Sequence, residues 1–366
     1  MTTISPPKQK TKAKATGKSS LWKTKLFHWE FWPAQIANIP VVGMWLYFAI
    51  KARHLFFFSA ANPAIETGGV LGESKIDILN QIPAAYKPLT LFHQAGTSYP
   101  EWMDSIEKAG LSFPLITKPN VGERGLGVEK IKNHEAFMDY LKYANYDLIV
   151  QEYVDYPEEY SVLHYRFPQK DKGEITSLCR KIYLTVKGDG EHTIRQLIER
   201  YPRAMFQLEA LESRWGKQLD RVPHIGEKVL LNPIGNHSRG TTFLDANAKI
   251  TEALTHTFDE INKQLTGIHL CRYDLKCQSL HDLENGQNFK ILEINGVAGE
   301  PAHVYDPEYS VRQAYKDLFY HWKMVYQVAR NLHQEEGVPY MKLGEAWSSL
   351  KKHLKYVKTF PKKRNN

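Results

Sequence analysis

The chain has few cysteines and none in a paired spacing. Its 366 residues contain three, Cys179, Cys271 and Cys277, and no Cys-x-x-Cys motif joins any two of them. No secretory signal peptide precedes them. We therefore expect reduced thiols in a cytoplasmic setting rather than a disulfide framework.

Acidic residues are absent from both ends of the chain. Residues 1–29 contain seven lysines, and residues 351–366 contain six lysines and one arginine. Setting those fourteen charges aside turns the formal net charge of +8 into about −6 for the remainder. Because the basic charge lies in the tails, the chain lacks the pattern of a basic nucleic-acid-binding domain. Two interpretations of the tails stay open: solubilising disordered ends, or attraction to an anionic membrane surface.

Charge is also missing from Phe31 to Ile50, a run of twenty residues that is rich in aromatic side chains. The run is long enough to span a membrane. However, Pro33 and Pro40 interrupt it. A span would also put the lysines before it on the outer side of the membrane, against the tendency of positive residues to stay on the inner side. We favour peripheral contact with the inner membrane face through residues 1–58, with this run lying in the interface. A segment packed on the body of the protein and a true span are the alternatives.

The length allows two or three domains, and a hydrophobic content of 42% is enough for a sizeable core. Residues 60–110 are turn-rich, with helical patches at Ser74–Gln81 and Tyr99–Ala109 and no strand–helix–strand run. Strands separated by glycine loops and helices follow from Phe113 to about Asp306. Helical periodicity returns at Ser310–Leu332 and Lys342–Tyr356. We divide the chain into a disordered basic tail (1–29), an apolar and aromatic segment (30–85), a main domain (86–306), and C-terminal helices with a basic tail (307–366).

Two strands in the C-terminal half carry a set of oxygen ligands. His269–Gln278 and Phe289–Asn295 read as strands joined by a polar turn. Because side chains alternate along a strand, Asp274 shares one face with Arg272, and Glu293 shares one with Asn295. If the strands pair, two carboxylates and an amide carbonyl converge, which suits Mg²⁺ or Mn²⁺ better than zinc. The alternative is a solvated polar sheet face.

An earlier strand leads into a glycine loop. The apolar strand from Phe113 ends at Lys118, and the loop contains Gly122, Gly125 and Gly127. Glycines let backbone amides approach phosphate oxygens, and Lys118 supplies a fixed positive charge. The spacing matches neither a dinucleotide fingerprint nor a Walker loop, so an ordinary hairpin turn is the alternative.

A third strand, Asp147–Gln151, continues through Glu152, Tyr153 and Val154 towards Glu159. Where such a strand passes into a turn, its backbone groups can pair with the edge of an adenine. The carboxylate of Glu159 is suited to bind the two ribose hydroxyls. Strands at Tyr160–Phe167 and Ile175–Leu184 follow. On the second, Arg180 or Lys181 would reach a phosphate, but only one of them can face the cleft because neighbours alternate.

In order and spacing, these motifs resemble the ATP-grasp superfamily, most of all its D-alanine–D-alanine ligase branch. Gly188–Ile198 and Asn236–Thr242 resemble cyanophycin synthetase and related amino-acid ligases. The resemblance covers roughly residues 86–306. It implies an α+β ATP-grasp fold, in which two α+β subdomains clasp ATP, here with a reduced N-terminal region and C-terminal helices.

The resemblance also implies roles for the matched residues. ATP would be bound by Lys118, Gly122, Gly125, Gly127, Gln151, Glu152, Tyr153, Val154, Glu159, Arg180 or Lys181, and Asn236. Mg²⁺ (or Mn²⁺) would be held by Asp274, Glu293 and Asn295. Arg272 would stabilise charge at the reacting carboxylate, and Asn236, His237 and Arg239 would lie on a closing loop. His303 would shuttle protons or touch substrate, with a plain surface histidine as the alternative.

The resemblance implies a carboxylate–amine ligase that forms an acyl phosphate. Its partners would be small-molecule carboxylate and amine substrates, with no nucleic acid. Two other functions stay open, a kinase of the same fold and a non-catalytic nucleotide-binding module tethered to membranes. The chain departs from D-alanine ligases before Phe113 and in the loop Gly296–Pro307, which argues against D-alanine dipeptide formation.

Overall fold

The computed structural model describes Thr24, Phe27–Gly122 and Gly125–Thr359. Most of the N-terminal basic tail lies outside these residues, as do residues 360–366 of the C-terminal tail and Glu123 and Arg124 of the glycine loop. Lys351, Lys352 and Lys355 of the C-terminal tail belong to the last helix. Within the described residues the helices are α1 (Ala34–Ala37), α2 (Ile39–Ala52), α3 (Lys75–Gln81), α4 (Tyr99–Lys108), α5 (His134–Leu141), α6 (Ile194–Glu199), α7 (Pro202–Met205), α8 (Leu208–Trp215), α9 (Glu252–Lys263), α10 (Leu280–Glu284), α11 (Val311–Glu335) and α12 (Leu343–Val357). The strands are β1 (Thr90–His93), β2 (Leu115–Pro119), β3 (Glu129–Ile131), β4 (Leu148–Glu152), β5 (Glu158–Tyr165), β6 (Glu174–Ile182), β7 (Thr185–Lys187), β8 (Lys228–Leu230), β9 (Thr242–Asp245), β10 (Leu270–Cys277) and β11 (Phe289–Asn295).

A four-stranded antiparallel sheet forms the first subdomain, in the order β1-β4-β2-β3. Helices α4 and α5 pack on it through Trp102, Ile106 and Phe137, which are almost fully buried. A capping box between Ser98 and Glu101 starts α4 by satisfying amides that the helix itself leaves unpaired. This small core fixes β2, the strand that carries Lys118.

A five-stranded antiparallel sheet forms the second subdomain, in the order β11-β10-β5-β6-β9. Helix α9 covers one face through Leu254, Phe258 and Ile261, which are buried among the apolar side chains of β5, β6, β10 and β11. A separate small cluster holds the paired strands β7 and β8 against α6 and α8. The opposite face of the large sheet is thereby left to carry polar groups.

The N-terminal segment packs on the body along one side. Phe48, Phe57 and Phe58 are buried against α11, and the indole of Trp45 donates to the carbonyl oxygen of Leu55 at 3.0 Å. Other apolar side chains of α2 face outward. No helix among the residues placed by the structure is both long enough and apolar enough to cross a membrane.

Most of the predicted elements are present at their predicted places, including α3, α4, α11, α12 and the β10–β11 pair. Strand β1, within 60–110, was not predicted. It is short, at four residues, and half-buried throughout, so it lacks the apolar alternation that marks a strand. The three cysteines are buried and form no disulfide, as expected.

Candidate active site

A cleft of about 780 Å³ lies between the two sheets. Strands β2 and β4 line it from the first subdomain, and β5, β6, β10 and β11 from the second. Most of the predicted site residues line it: Lys118, Gly122, Gly125, Gln151, Glu152, Tyr153, Val154, Glu159, Lys181, Asn236, Arg272, Asp274, Glu293 and Asn295. The sequence motifs therefore converge in one place.

Lys118 bridges the two subdomains from the end of β2. Its ammonium donates to the side-chain oxygen of Gln151 at 3.2 Å and to the carbonyl oxygen of Leu292 at 2.9 Å. Burial lowers the pKa of Lys118 to about 8, although the negative charge of Glu293 opposes that shift. Within the described residues its hydrogen bonds go to neutral oxygens, so this buried cation is suited to meet an anionic ligand.

Strands β10 and β11 pair as predicted. Asp274 lies opposite Glu293, and Arg272 lies opposite Asn295. Directly opposed residues of an antiparallel pair project to the same face. All four line the cleft, together with Lys276 on β10. The two carboxylates and the amide therefore lie together on one face of the sheet, as predicted.

Asp274 is the most heavily paired of these groups. One carboxylate oxygen contacts the ammonium of Lys181 at 3.0 Å and accepts from the hydroxyl of Ser161, and the other accepts from Arg272 at 3.1 Å and Asn295 at 2.9 Å. Burial raises its pKa, but the charges of Arg272 and Lys181 lower the pKa more, well below the usual range. Asp274 is therefore an ionised carboxylate at neutral pH.

Glu293 is paired with Lys75, a residue that the sequence analysis missed. The ammonium of Lys75 lies 3.1 Å from the carboxylate and donates to the carbonyl oxygen of Gly122 at 2.5 Å. Burial raises the pKa of Glu293, and the positive charges of Lys75 and Lys118 lower it further than burial raises it. Lys75 opens a short helix without any motif, so no pattern marked it. We call Lys75, Lys118, Lys181, Asp274 and Glu293 the charged cluster.

The donor set fits a hard divalent cation. Asp274 and Glu293 are ionised carboxylates on adjacent strands. The side-chain nitrogen of Asn295 donates a hydrogen bond to Asp274, so its side-chain oxygen is the atom that would bind a metal ion. No group of three or more His, Cys, Asp or Glu side chains suited to a metal ion occurs within the described ranges. The candidate set is two acids and one amide.

Only one of the two basic neighbours on β6 faces the cleft, as strand alternation requires. Lys181 lines it and bridges the carboxylates of Glu159 (3.1 Å) and Asp274 (3.0 Å). Arg180 points to the opposite face, where it pairs with Glu158 at 2.8 Å. Glu159 also accepts from the hydroxyl of Tyr183. The open choice between Arg180 and Lys181 is thus resolved by geometry in favour of Lys181.

The sequence is similar over part of its length to curated proteins from two strains of one bacterium. It is 26% identical over 191 residues to the glutathione biosynthesis bifunctional protein GshAB of Streptococcus agalactiae, and the match covers 44% of this chain and 24% of that protein. The chain therefore spans about a quarter of the curated relative's length. The two α+β subdomains that face each other across a cleft have the arrangement that the resemblance to ATP-grasp enzymes implied.

Solved structures with a similar course of the chain are more distant. A bifunctional glutathione synthetase from Pasteurella multocida is 18% identical with a TM-score of 0.38, over 73% of this chain and 37% of that one. D-alanine–D-alanine ligase from Bacillus anthracis is 14% identical with a TM-score of 0.44, over 75% and 71%. No protein-family model matches the chain. Likeness at this level says nothing about the substrates.

The predicted adenine-binding stretch, Glu152 to Val154, lines the cleft, and its backbone groups already make hydrogen bonds within the protein. The amide of Glu152 donates to the carbonyl oxygen of Leu89 at 2.9 Å, and the carbonyl oxygen of Val154 accepts from the ammonium of Lys276 at 2.9 Å. The same ammonium lies 5.0 Å from the centre of the Tyr153 ring. Nucleotide binding at this stretch would have to share or displace those contacts.

The glycine loop and the predicted closing loop, which contains Asn236 and Arg239, are joined by hydrogen bonds. The guanidinium of Arg239 donates to the carbonyl oxygens of Gly125 at 2.5 Å and Val128 at 3.1 Å. Arg239 therefore fastens the glycine loop and does not line the cleft. Gly127 lies at the base of the loop with φ +68°, and a Cβ there would meet Pro119 at 2.8 Å, so it is a packing glycine.

The structure places His303 away from the cleft. It is 1% exposed, and its ring nitrogens contact the hydroxyl of Ser177 at 2.7 Å and the carboxylate of Asp317 at 3.2 Å. A side chain buried in this way is out of reach of a substrate in the cleft. The expectation of a proton shuttle is therefore corrected, and so is the surface alternative, because this histidine is part of the core.

The N-terminal segment forms a wall of the cleft that the sequence analysis did not predict. Trp29, Trp32 and Tyr305, which we call the aromatic wall, line it, and the rings of Trp29 and Tyr305 stack at 5.0 Å. Glu30, between the tryptophans, is buried and pairs with Arg203 at 2.5 Å and with His237 at 2.9 Å. The only sequence signal for a wall of the cleft was the aromatic-rich composition of the N-terminal segment.

Proposed function

We propose that this chain is an ATP-dependent ligase that joins a carboxylate to an amine through an acyl phosphate, with Mg-ATP held in the ATP-grasp cleft. One observation carries the proposal. Lys118 from the first subdomain and Lys181, Asp274 and Glu293 from the second meet in one cleft. The names of similar proteins, a glutathione biosynthesis protein and a D-alanine–D-alanine ligase, support the ligase class.

The cationic members of the charged cluster suit the triphosphate. Lys118 and Lys181 are buried ammonium groups, so their attraction for phosphate oxygens is weakly screened. Gly122 and Gly125, which carry no side chains themselves, line the same cleft as these lysines. Asp274, Glu293 and Asn295 would hold Mg²⁺, which supplies charge neutralisation at the transferring phosphoryl group.

The reaction has two steps. An oxygen of the substrate carboxylate attacks the γ-phosphorus, the bond to the β-phosphate oxygen breaks, and ADP leaves. The amine nitrogen then attacks the acyl carbon, the bond to phosphate breaks, and the amine loses a proton. Arg272, which donates to Asp274 and to the carbonyl oxygen of Glu300, would stabilise the oxyanion of the tetrahedral intermediate.

Water must be excluded, since an acyl phosphate hydrolyses. The tie between Arg239 and the glycine loop, and the tie between His237 and Glu30, would keep the loops closed over the site. Asn236 supports this loop, because its side-chain oxygen accepts from the amide of Ser238 at 2.9 Å. The acceptor would lie against the aromatic wall.

Isotope transfer tests the proposal. The chain is incubated with Mg-ATP, an amine mixture and carboxylic acids labelled with ¹⁸O in the carboxyl group. A ligase of this kind moves one ¹⁸O into inorganic phosphate and releases ADP and phosphate in equal amounts. A kinase instead leaves phosphate on a hydroxyl acceptor, and a non-catalytic module releases no ADP. Hydroxylamine added in place of the amine should trap the acyl phosphate as a hydroxamate. Phosphate released without ¹⁸O would overturn the acyl-phosphate route.

A further inference from the structure

The outward face of α2 is apolar, and the rest of the described residues leave it uncovered. Val42, Leu46 and Ile50 are 49%, 42% and 77% exposed, and Ile39, one turn earlier, is 66% exposed. Their spacing of three or four residues places them on one side of the helix. A helix face that meets water normally carries polar groups, and a contiguous apolar face of this length marks a binding surface.

Aromatic side chains of α11 extend this face. The rings of Tyr47 and Phe319 lie 6.0 Å apart, and Phe319 and Tyr320 are 40% and 37% exposed. We call these residues together the docking face: Ile39, Val42, Leu46, Tyr47, Ile50, Phe319 and Tyr320. Lysines sit beside its rings, with Lys51 5.2 Å from the centre of the Tyr47 ring and Lys323 6.0 Å from that of Tyr320.

The charge around the docking face is mostly positive. Lys51, Arg53, Lys316 and Lys323 are exposed. The acid Glu174 also reaches this rim, where its carboxylate accepts from the hydroxyl of Tyr320 at 3.5 Å. In the sequence, the residues before Phe27 contain seven lysines and no acid. A second copy of this chain would bring the same positive charges, so an anionic partner is the complementary one.

We propose that the docking face binds peripherally to an anionic lipid bilayer. Helix α2 is about 21 Å long and would lie in the plane of the headgroups with its apolar side chains inward. Its opposite side stays attached to the body through Phe48 and Ala49, which are buried against α11. Lysines and aromatic rings around an apolar centre are the pattern of such interfaces. The proposal stands independently of the ligase reaction.

Sedimentation of the full chain with vesicles tests this docking. Vesicles of 30% phosphatidylserine in phosphatidylcholine are compared with pure phosphatidylcholine at low and high salt. The triple variant Val42→Glu, Leu46→Glu and Ile50→Glu should lose at least about tenfold in partitioning to the anionic vesicles. Lys51→Gln and Lys323→Gln should each weaken it about fivefold, an effect that high salt removes.

A matched triple variant serves as the control. Val222, Met138 and Ile225 lie elsewhere on the surface and are 43%, 44% and 84% exposed, so their change to Glu removes similar apolar side chains. It should partition within about twofold of the unchanged chain. The single variant Ile50→Glu, at an exposed helix end, covers the case in which the triple variant fails to fold.

Three results would overturn the docking proposal. One is a lack of binding by the unchanged chain to the anionic vesicles at low salt. Another is equal binding by the α2 variants and the unchanged chain. The third is a dimer that the α2 triple variant dissociates, without any vesicle binding, which would assign the face to a second copy of the chain.

Discussion

The charged cluster and the aromatic wall line the same cleft but are built in different ways. Each carboxylate of the cluster is fixed by regular strand pairing and by cations from several elements. Trp29 and Trp32 of the aromatic wall come from an N-terminal segment without strands, which is held by the stacking of Trp29 on Tyr305 and by the buried carboxylate of Glu30. Regular secondary structure thus positions the groups to which we assign phosphate chemistry, whereas a tethered segment would shape the space for the substrates.

The largest expected effect lies in the charged cluster. Asp274→Asn and Glu293→Gln keep the shape of the side chain and remove the charge that would hold Mg²⁺. We expect the rate of ATP-dependent phosphate release to fall about a thousandfold, equivalent to about 4 kcal/mol. Steady-state assays with varied Mg²⁺ measure it, and Glu158→Gln, on the opposite face of the sheet, is the control. Unchanged turnover in either variant would remove that residue from the metal set.

The next largest effect is expected from Glu30, the buried carboxylate that holds the segment of the aromatic wall in place. Glu30→Gln leaves the buried guanidinium of Arg203 without its counterion, which should lower the free energy of unfolding by about 3 kcal/mol. Burial raises the pKa of Glu30, but hydrogen bonds and charge from His237 and Arg203 lower that pKa more. The stability from this carboxylate is therefore present above its usual pKa and is lost as the pH falls through the lowered value.

Urea unfolding at pH 7 and at acid pH measures the contribution of Glu30. The difference between the unchanged chain and Glu30→Gln should shrink towards acid pH. In assays, the variant should raise KM for the carboxylate or amine more than KM for ATP. A rise confined to KM for ATP would contradict the division of the cleft into a charged cluster and an aromatic wall.

The contrast between the two regions also explains what the sequence made predictable. Strand alternation correctly predicted that Asp274 and Glu293 would lie together, because two paired strands bring their alternate side chains to one face. Lys75 and Glu30 were missed because each reaches the cleft by tertiary packing, with the partners Glu293 and Arg203 far away in sequence. His303 was misplaced for a related reason, since its neighbours Ser177 and Asp317 bury it and no local pattern reports burial by distant elements.

A smaller effect should follow from the pH dependence of Lys118. Its pKa is lowered to about 8, so the ammonium is charged below that pH and loses its proton above it. ATP affinity should therefore fall about tenfold between pH 7 and pH 9, as expected for one titrating cation. Calorimetric titration of ATP at each pH measures it. Lys118→Arg keeps its charge throughout this range and should show little of the decline.

The smallest effect should separate two neighbours on β6. Arg180 makes a partly exposed ion pair with Glu158 on the face away from the cleft, which contributes at most about 1 kcal/mol to stability. Arg180→Met should therefore change ATP turnover by less than about twofold, a small effect on the transition-state scale. Lys181→Met leaves Glu159 and Asp274 without their shared cation, so turnover and ATP affinity should both drop in this variant alone. Equal effects of the two variants would contradict the assignment of Lys181, rather than Arg180, to the nucleotide.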